Sequence, residues 1–187
     1  MSESTYLTNQ FLIAMPGLMD PNFFHTVTYI SEHNEAGALG IVINRPLNLT
    51  LGELLQHLRI SICRPEIASM PVYYGGPVQP EQGFVIHTPL GHWSSTLRVS
   101  DTIGITTSLD ILQALARDEG PDQILVALGY AGWGQGQLER EIAENAWLSG
   151  PTDPAVLFQI PSGSRWSASA ALLGIDLNLL SGETGHA

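Results

Sequence analysis

Lysine is absent from this chain of 187 residues, and its seven basic residues are all arginines, scattered between Arg45 and Arg165 without a run. Eighteen acidic residues stand against them, for a net charge of −11. Nucleic-acid binding through the phosphate backbone needs a basic face that releases counterions, so this balance argues against it, and against anionic membranes. A single cysteine, Cys63, excludes an internal disulfide and a cysteine-only zinc site. There is no apolar run long enough to span a bilayer, and Met1-Ser2-Glu3-Ser4-Thr5 lacks the basic start of a signal peptide. A cytoplasmic location is therefore expected. Repeats, low-complexity tracts and linkers are missing too. With 44% apolar residues this reads as one folded domain over 1–187, with residues 1–10 as a flexible N-terminus.

What is present alternates strands with single helices. Thr26–Ile30 and the apolar run Ala38–Ile43 have strand chemistry, and His33–Gly37 between them predicts a tight antiparallel connection. Thr50 and Glu53 form a capping box ahead of a helix with Leu51, Leu54, Leu55 and Leu58 on one face. Strands are expected at Val72–Tyr74, Phe84–His87 and Thr96–Val99, arranged as meander pieces, with turns at Gly75–Val78 and Thr88–Gly91. Ser108 is placed to cap a second helix whose inner face is Leu109, Leu112, Leu115 and Ala116, ending before Gly120-Pro121. Ile124–Leu128 reads as a strand, Gly129–Gly136 as a glycine-rich loop and Gln137–Glu144 as a helix. Val156–Ile160 is expected as a strand and Trp166–Leu173 as a final helix. The pattern gives a single α/β domain of mixed α+β character.

Three segments carry candidate chemistry. Asn44-Arg45-Pro46 follows an apolar strand, and an arginine at a strand end can grip a carboxylate or phosphate; its simpler reading is a partner for an acidic side chain or a helix end. Gly75-Gly76-Pro77 follows another strand, where paired glycines permit close backbone approach or form a turn. The loop Gly129–Gly136 matches neither a Walker A nor a dinucleotide fingerprint, and Glu139 and Glu141 after it would repel phosphate. Its glycines equally serve to fold Tyr130 and Trp133 onto the core. The histidines show no zincin spacing, although His87 and His92 flank a turn, and no Gly-x-Ser-x-Gly elbow is present. No metal or cofactor is called for. Cys63 beside Arg64 reads as a buried inert thiol or one of lowered pKa.

Together these segments resemble a known family. Asp20-Pro21-Asn22-Phe23-Phe24 with Gly37–Pro46, then Gly75–Val78 with Gly83–His87, then Leu128–Trp133 with Gly136–Glu139 and Asn145–Trp147, and finally Trp166 and Gly185-His186-Ala187, are similar to the YqgE/AlgH family of bacterial proteins. The resemblance implies a mixed, partly barrel-like sheet flanked by helices. It brings no established catalytic residues, and a regulatory association through one member linked to control of alginate production. The positions matching its motifs are Asn44, Arg45, Gly75, Gly76, Pro77, Tyr130, Gly132, Trp133, Gln137 and Glu139. All but Glu139 are taken as a candidate ligand-binding set at one sheet end. The leading expectation is a binding or indirectly acting regulatory protein for a small anionic ligand, with a protein partner or second copy as further partners. The alternatives are an enzyme, a hydrolase or transferase, at the same pocket with Glu139, Glu141 or His87 moving protons, and a direct transcriptional regulator, which the charge disfavours.

Overall fold

The computed structural model describes residues 6–62 and 64–180; the readings placed on Cys63 and on Gly185-His186-Ala187 lie outside them. In chain order the strands are β1 (Gln10–Ala14), β2 (Val27–Asn34), β3 (Gly37–Val42), β4 (Pro46–Thr50), β5 (Pro71–Tyr74), β6 (Val78–Thr88), β7 (Thr96–Arg98), β8 (Gly104–Thr106), β9 (Gln123–Trp133) and β10 (Trp147–Pro151). The helices are α1 (Leu51–His57), α2 (Pro65–Ala68), α3 (Leu109–Ala116), α4 (Gln137–Ala143), α5 (Pro154–Phe158) and α6 (Arg165–Ala171). The strands make one curled, half-barrel sheet in the order β10-β1-β2-β3-β9-β6-β8-β7. All pairs along that path are antiparallel. Off it, β5 runs parallel to β9 and antiparallel to β4. The fold is thus a mixed α/β domain, as the resemblance implies.

Several elements form as their sequences dictate. β2 and β3 make the expected hairpin, turning at Glu35-Ala36, where the Asn34 side chain accepts the Ala36 N–H at 2.8 Å. The capping box of α1 is complete: Thr50 Oγ1 accepts the Glu53 N–H and Glu53 accepts the Thr50 N–H. Leu51 and Leu55 are fully buried beneath it, while Leu58 is exposed. Near the N-terminus Leu7 is buried and donates its N–H to His33 Nδ1.

Other expectations give way to tertiary pairing. The glycine-rich segment is not a loop up to Trp133: β9 runs on through Gly129-Tyr130-Ala131-Gly132-Trp133, pairing Ala131, Gly132 and Trp133 with β3. Only Gly134-Gln135-Gly136 remains as a turn before α4. Val156–Ile160 is not a strand, because Asp153 caps and Pro154 starts a helix there. The meander is replaced by a different order: β9 separates β5 from β6, and β8 lies between β6 and β7. Gly75–Val78 is a crossing rather than a turn, with Val78 already in β6. In α3 the buried face is Ile111, Leu112, Ala114, Leu115 and Ala116; Leu109 points out, and Ser108 spends its hydroxyl on Asp110 instead of capping. The helix expected over Trp166–Leu173 stops at Ala171, followed by a turn over 172–174.

Three apolar clusters surround the sheet. The concave side holds Phe11, Ile13, Tyr29, Ile41, Ile86, Ile105, Leu125 and Ala127, closed by α5 and α6. The opposite side near α1 and α3 holds Leu51, Leu55, Val85, Ile111, Ile124 and Val126. A third gathers Leu12, Ile30, Ala131, Trp133, Leu138 and Trp147 under α4. β9 feeds all three because Gly129, at φ +80°, breaks its alternation. Before it, odd-numbered residues face the concave side; after it Tyr130 does so, and Ala131 and Trp133 enter the third cluster.

Candidate functional site

The open mouth of the concave side is a cleft of about 670 Å³. Its floor is apolar: Leu39 and Ile41 from β3, Phe84 from β6, Leu97 from β7, Ile105 from β8 and Tyr130 from β9. These side chains meet because register puts them on one face: Leu97 opposes Ile105, and Ile105 opposes Ile86, two residues from Phe84. The Phe84 and Tyr130 rings meet edge to face at 5.8 Å. Around the floor stand Ser31, Gln79, Gln82, Ser94, Ser95, Thr96 and Thr107. Among the described residues no Asp, Glu, Arg or His lines the cleft, and the one titratable side chain there is Tyr130. Such a lining desolvates an apolar body and offers neutral donors and acceptors at its rim.

The glycines of the sequence motifs serve a backbone crossing beside this cleft. Gly75 donates to Leu128 O and accepts from Val42 N, both at 2.8 Å, at the point where β5 hands its side of β9 to β3. A β-carbon on Gly75 would overlap Gly129 O, and one on Gly76, at φ +153°, the Tyr130 carbonyl. Gly132 lies open, within van der Waals reach of the Tyr130 ring and Leu39. Pro77 is exposed at the head of β6.

Asn44 and Arg45 are occupied elsewhere. Asn44 accepts the Val27 N–H at 2.9 Å and donates to His25 O at 2.9 Å. Arg45 donates to Pro21 O at 2.6 Å and Phe24 O at 2.8 Å, and Tyr74 holds Asn22 from the other side. The guanidinium pins the 20–25 loop through two carbonyls, much as it would cap a helix end. Within that loop His25 is stacked between Phe24 and Trp166, 3.8 Å from each ring centroid, and burial followed by the Arg45 charge pulls its pKa down.

Trp133 and Gln137 belong to another assembly. The Glu141 carboxylate accepts from Trp133 Nε1 at 3.1 Å, Trp147 Nε1 at 3.0 Å and Gln137 Nε2 at 2.8 Å, and Gln137 Oε1 accepts the Gly134 N–H. Glu139 accepts from His33 Nε2 at 3.2 Å; the Leu7 N–H on Nδ1 fixes that tautomer. His87 is fully buried on the sheet face away from the cleft. Its Nδ1 donates to Pro89 O at 2.9 Å and its Nε2 accepts from Thr106 Oγ1 at 2.7 Å, so both nitrogens are engaged. Burial pulls its pKa down.

The candidate set therefore divides. Gly75, Gly76, Tyr130 and Gly132 gather at the crossing; Asn44 and Arg45 brace the 20–25 loop, and Trp133 with Gln137 binds Glu141. Only Tyr130 lines the cleft. Sequence reasoning missed the rest of that lining, whose residues come from five strands and two loops and form no motif. The one signal available was the alternation of Phe84 with Ile86 and of Leu39 with Ile41.

A family model described as AlgH-like matches residues 11–178. A UPF0301 protein of Thioalkalivibrio sulfidiphilus is 60% identical over 187 residues, and one of Nitrosococcus oceani 58%, each match covering all of both chains. The solution structure of the AlgH protein from Pseudomonas aeruginosa is 49% identical, with a TM-score of 0.79 over 97% of this chain and 96% of that one. A crystal structure of a protein from Corynebacterium diphtheriae, 20% identical with a TM-score of 0.69 over 90% and 87%, shares the fold.

Proposed function

We propose, from the premise that this chain belongs to the AlgH-like family, that it is a binding protein and that its concave cleft takes an uncharged, largely apolar group. The supporting observation is the cleft itself: about 670 Å³, aromatic and aliphatic below, neutral and polar at the rim. The anionic ligand expected from Arg45 loses its motive, because that guanidinium already satisfies two carbonyls. An enzyme at this site would need an acid or base within reach of the ligand, and Tyr130 alone is titratable there. Glu141 and His87 are committed to buried partners. Direct DNA contact is disfavoured by charge and by the placement of the arginines. Arg64, Arg98 and Arg117 pair with acidic neighbours, and Arg165 is buried. Among the described residues no helix is long and apolar enough to cross a membrane. The role proposed with this reading is that of a cytoplasmic regulator acting through what it binds.

Titration of ¹⁵N-labelled protein with indole and, separately, with inorganic phosphate tests this. Saturable shifts from indole at the amides of Leu39, Phe84, Leu97, Ile105 and Tyr130, weakened by Tyr130→Ala, are expected. Shifts from phosphate around Arg45, with none from indole in the cleft, would restore the anion pocket and end the present reading.

A further inference from the structure

The strand at the end of the sheet borders the cleft, and among the described residues its outer edge is unpaired. Among them β7 pairs with β8 alone. Thr107 N donates to Ser95 O and Val99 N donates to Ile103 O, both at 3.0 Å, so residues 95, 97 and 99 turn their backbone groups toward β8. Thr96 opposite Thr106 is then a pair without ladder bonds, which is why their hydroxyls approach to 2.7 Å. By the same alternation the N–H and C=O of Thr96 and Arg98 point outward from the three residues of β7. Apart from its length of three residues, this edge has little of what usually blunts one. It has no proline, and its one charged side chain, Arg98, is bound to Asp101 at 2.7 Å. By contrast the edge strand β4 opens with Pro46.

Side-chain direction connects this edge to the cleft. A strand added beside β7 bonds to Thr96 and Arg98, and its residue between those bonds stands opposite Leu97 without ladder bonds of its own, where side chains come closest. Leu97 is 41% exposed and points to the cleft face with Ile105. The incoming central side chain therefore lands on that face, beside the apolar floor. The rim there, Ser94, Ser95 and Thr107, is neutral.

We propose that β7 is a strand-addition site, and that the natural ligand of the cleft is an extended peptide segment with a bulky apolar residue at its centre and uncharged neighbours. Main-chain bonds to Thr96 and Arg98 hold the segment, and the central side chain fills the cleft. This rests on the cleft being a binding site for an apolar group.

The test uses a blocked pentapeptide, acetyl-Thr-Val-Phe-Val-Thr-amide, its analogue N-methylated at the two amides that would pair, and indole, each titrated into the labelled full chain. The parent peptide is expected to shift and protect the Thr96 and Arg98 amides and to compete with indole. N-methylation is expected to weaken it at least about ten-fold, as loss of two backbone bonds should. Arg98→Pro, which removes one outward N–H but no ladder bond to β8 and lies outside the cleft lining, should weaken the peptide and leave indole unaffected. Equal binding of the two peptides, or a peptide that leaves Thr96 and Arg98 unmoved while indole still binds, overturns strand addition and spares the cleft. If neither peptide nor indole reaches the cleft, both readings fall. Protection of the same two amides by concentration-dependent dimerisation without peptide would also overturn it, assigning the edge to a second copy.

Discussion

Replacing Glu141 by alanine should destabilise the protein strongly, and the structure sets the size of the effect. The carboxylate accepts three hydrogen bonds, from Trp133 Nε1, Trp147 Nε1 and Gln137 Nε2. The two tryptophans are 6% and 3% exposed, so their N–H groups have little other recourse. A stranded buried donor costs about 1–3 kcal/mol. Glu141 itself is half-exposed, so its removal lets some water reach the indoles, and the lower part of the range applies. We therefore expect a loss of about 2–4 kcal/mol for Glu141→Ala, a fall in melting temperature of roughly 5–15 °C for a domain this size. Glu141→Gln keeps one acceptor oxygen for the indoles but sets its amide against that of Gln137, and should lose about 1 kcal/mol. Urea denaturation followed by tryptophan emission and by far-ultraviolet circular dichroism measures both. A Glu141→Ala protein within about 0.5 kcal/mol of wild type would refute the argument, because the indoles would then not depend on the carboxylate.

Gly129→Ala places a β-carbon at φ +80° against the carbonyl of Gly76, and a loss of about 2–4 kcal/mol in the same urea assay is expected; a neutral result would deny that Gly129 sets the bulge. Arg45→Ala should cost only about 1 kcal/mol but speed amide exchange across residues 20–25; unchanged exchange there would show that the two carbonyl bonds do not hold the loop. Stability should decline on mild acidification. The folded pKa values of His87 and His25 lie below the usual 6.5, so between those values and 6.5 the unfolded chain binds more protons, and stability is full above 6.5 and lost as pH falls through the window. Melting temperatures from pH 8 to pH 5 measure this, and His87→Gln should flatten the decline; an unaltered slope would exclude His87 as its source.

How much of this was legible depended on whether local chemistry and tertiary contacts agreed. The α1 capping box and the β2–β3 hairpin were readable because each closes within a few residues. The second half of β9 was not: glycines at positions 129 and 132 read as a loop, and only the neighbouring strands β3 and β6 make them a strand. Val156–Ile160 is a short apolar run, and periodicity alone cannot tell a strand from a buried helix in such a run. The deciding signal, Asp153 before Pro154, was present and went unused. At the site, Tyr130 was found because it stands out in its segment. Ser95, Thr107 and Ile105 are ordinary residues whose importance arises only when the sheet curls. For Arg45 both readings stayed open in the sequence, because a cation at a strand end looks the same whether it meets a ligand or two carbonyls of its own chain.

β9 occupies residues 123–133, yet β3, β5 and β6 all take it as their neighbour. This has a consequence for synthesis. As the chain leaves the ribosome, the β2–β3 hairpin can close at once, and β6, β7 and β8 can collect among themselves. The two groups have no common edge until more than two thirds of the polypeptide has been made. Until then each carries an open flank and a bare apolar face. Arrival of the strand that ends at Trp133 is the event that turns two fragments into one domain.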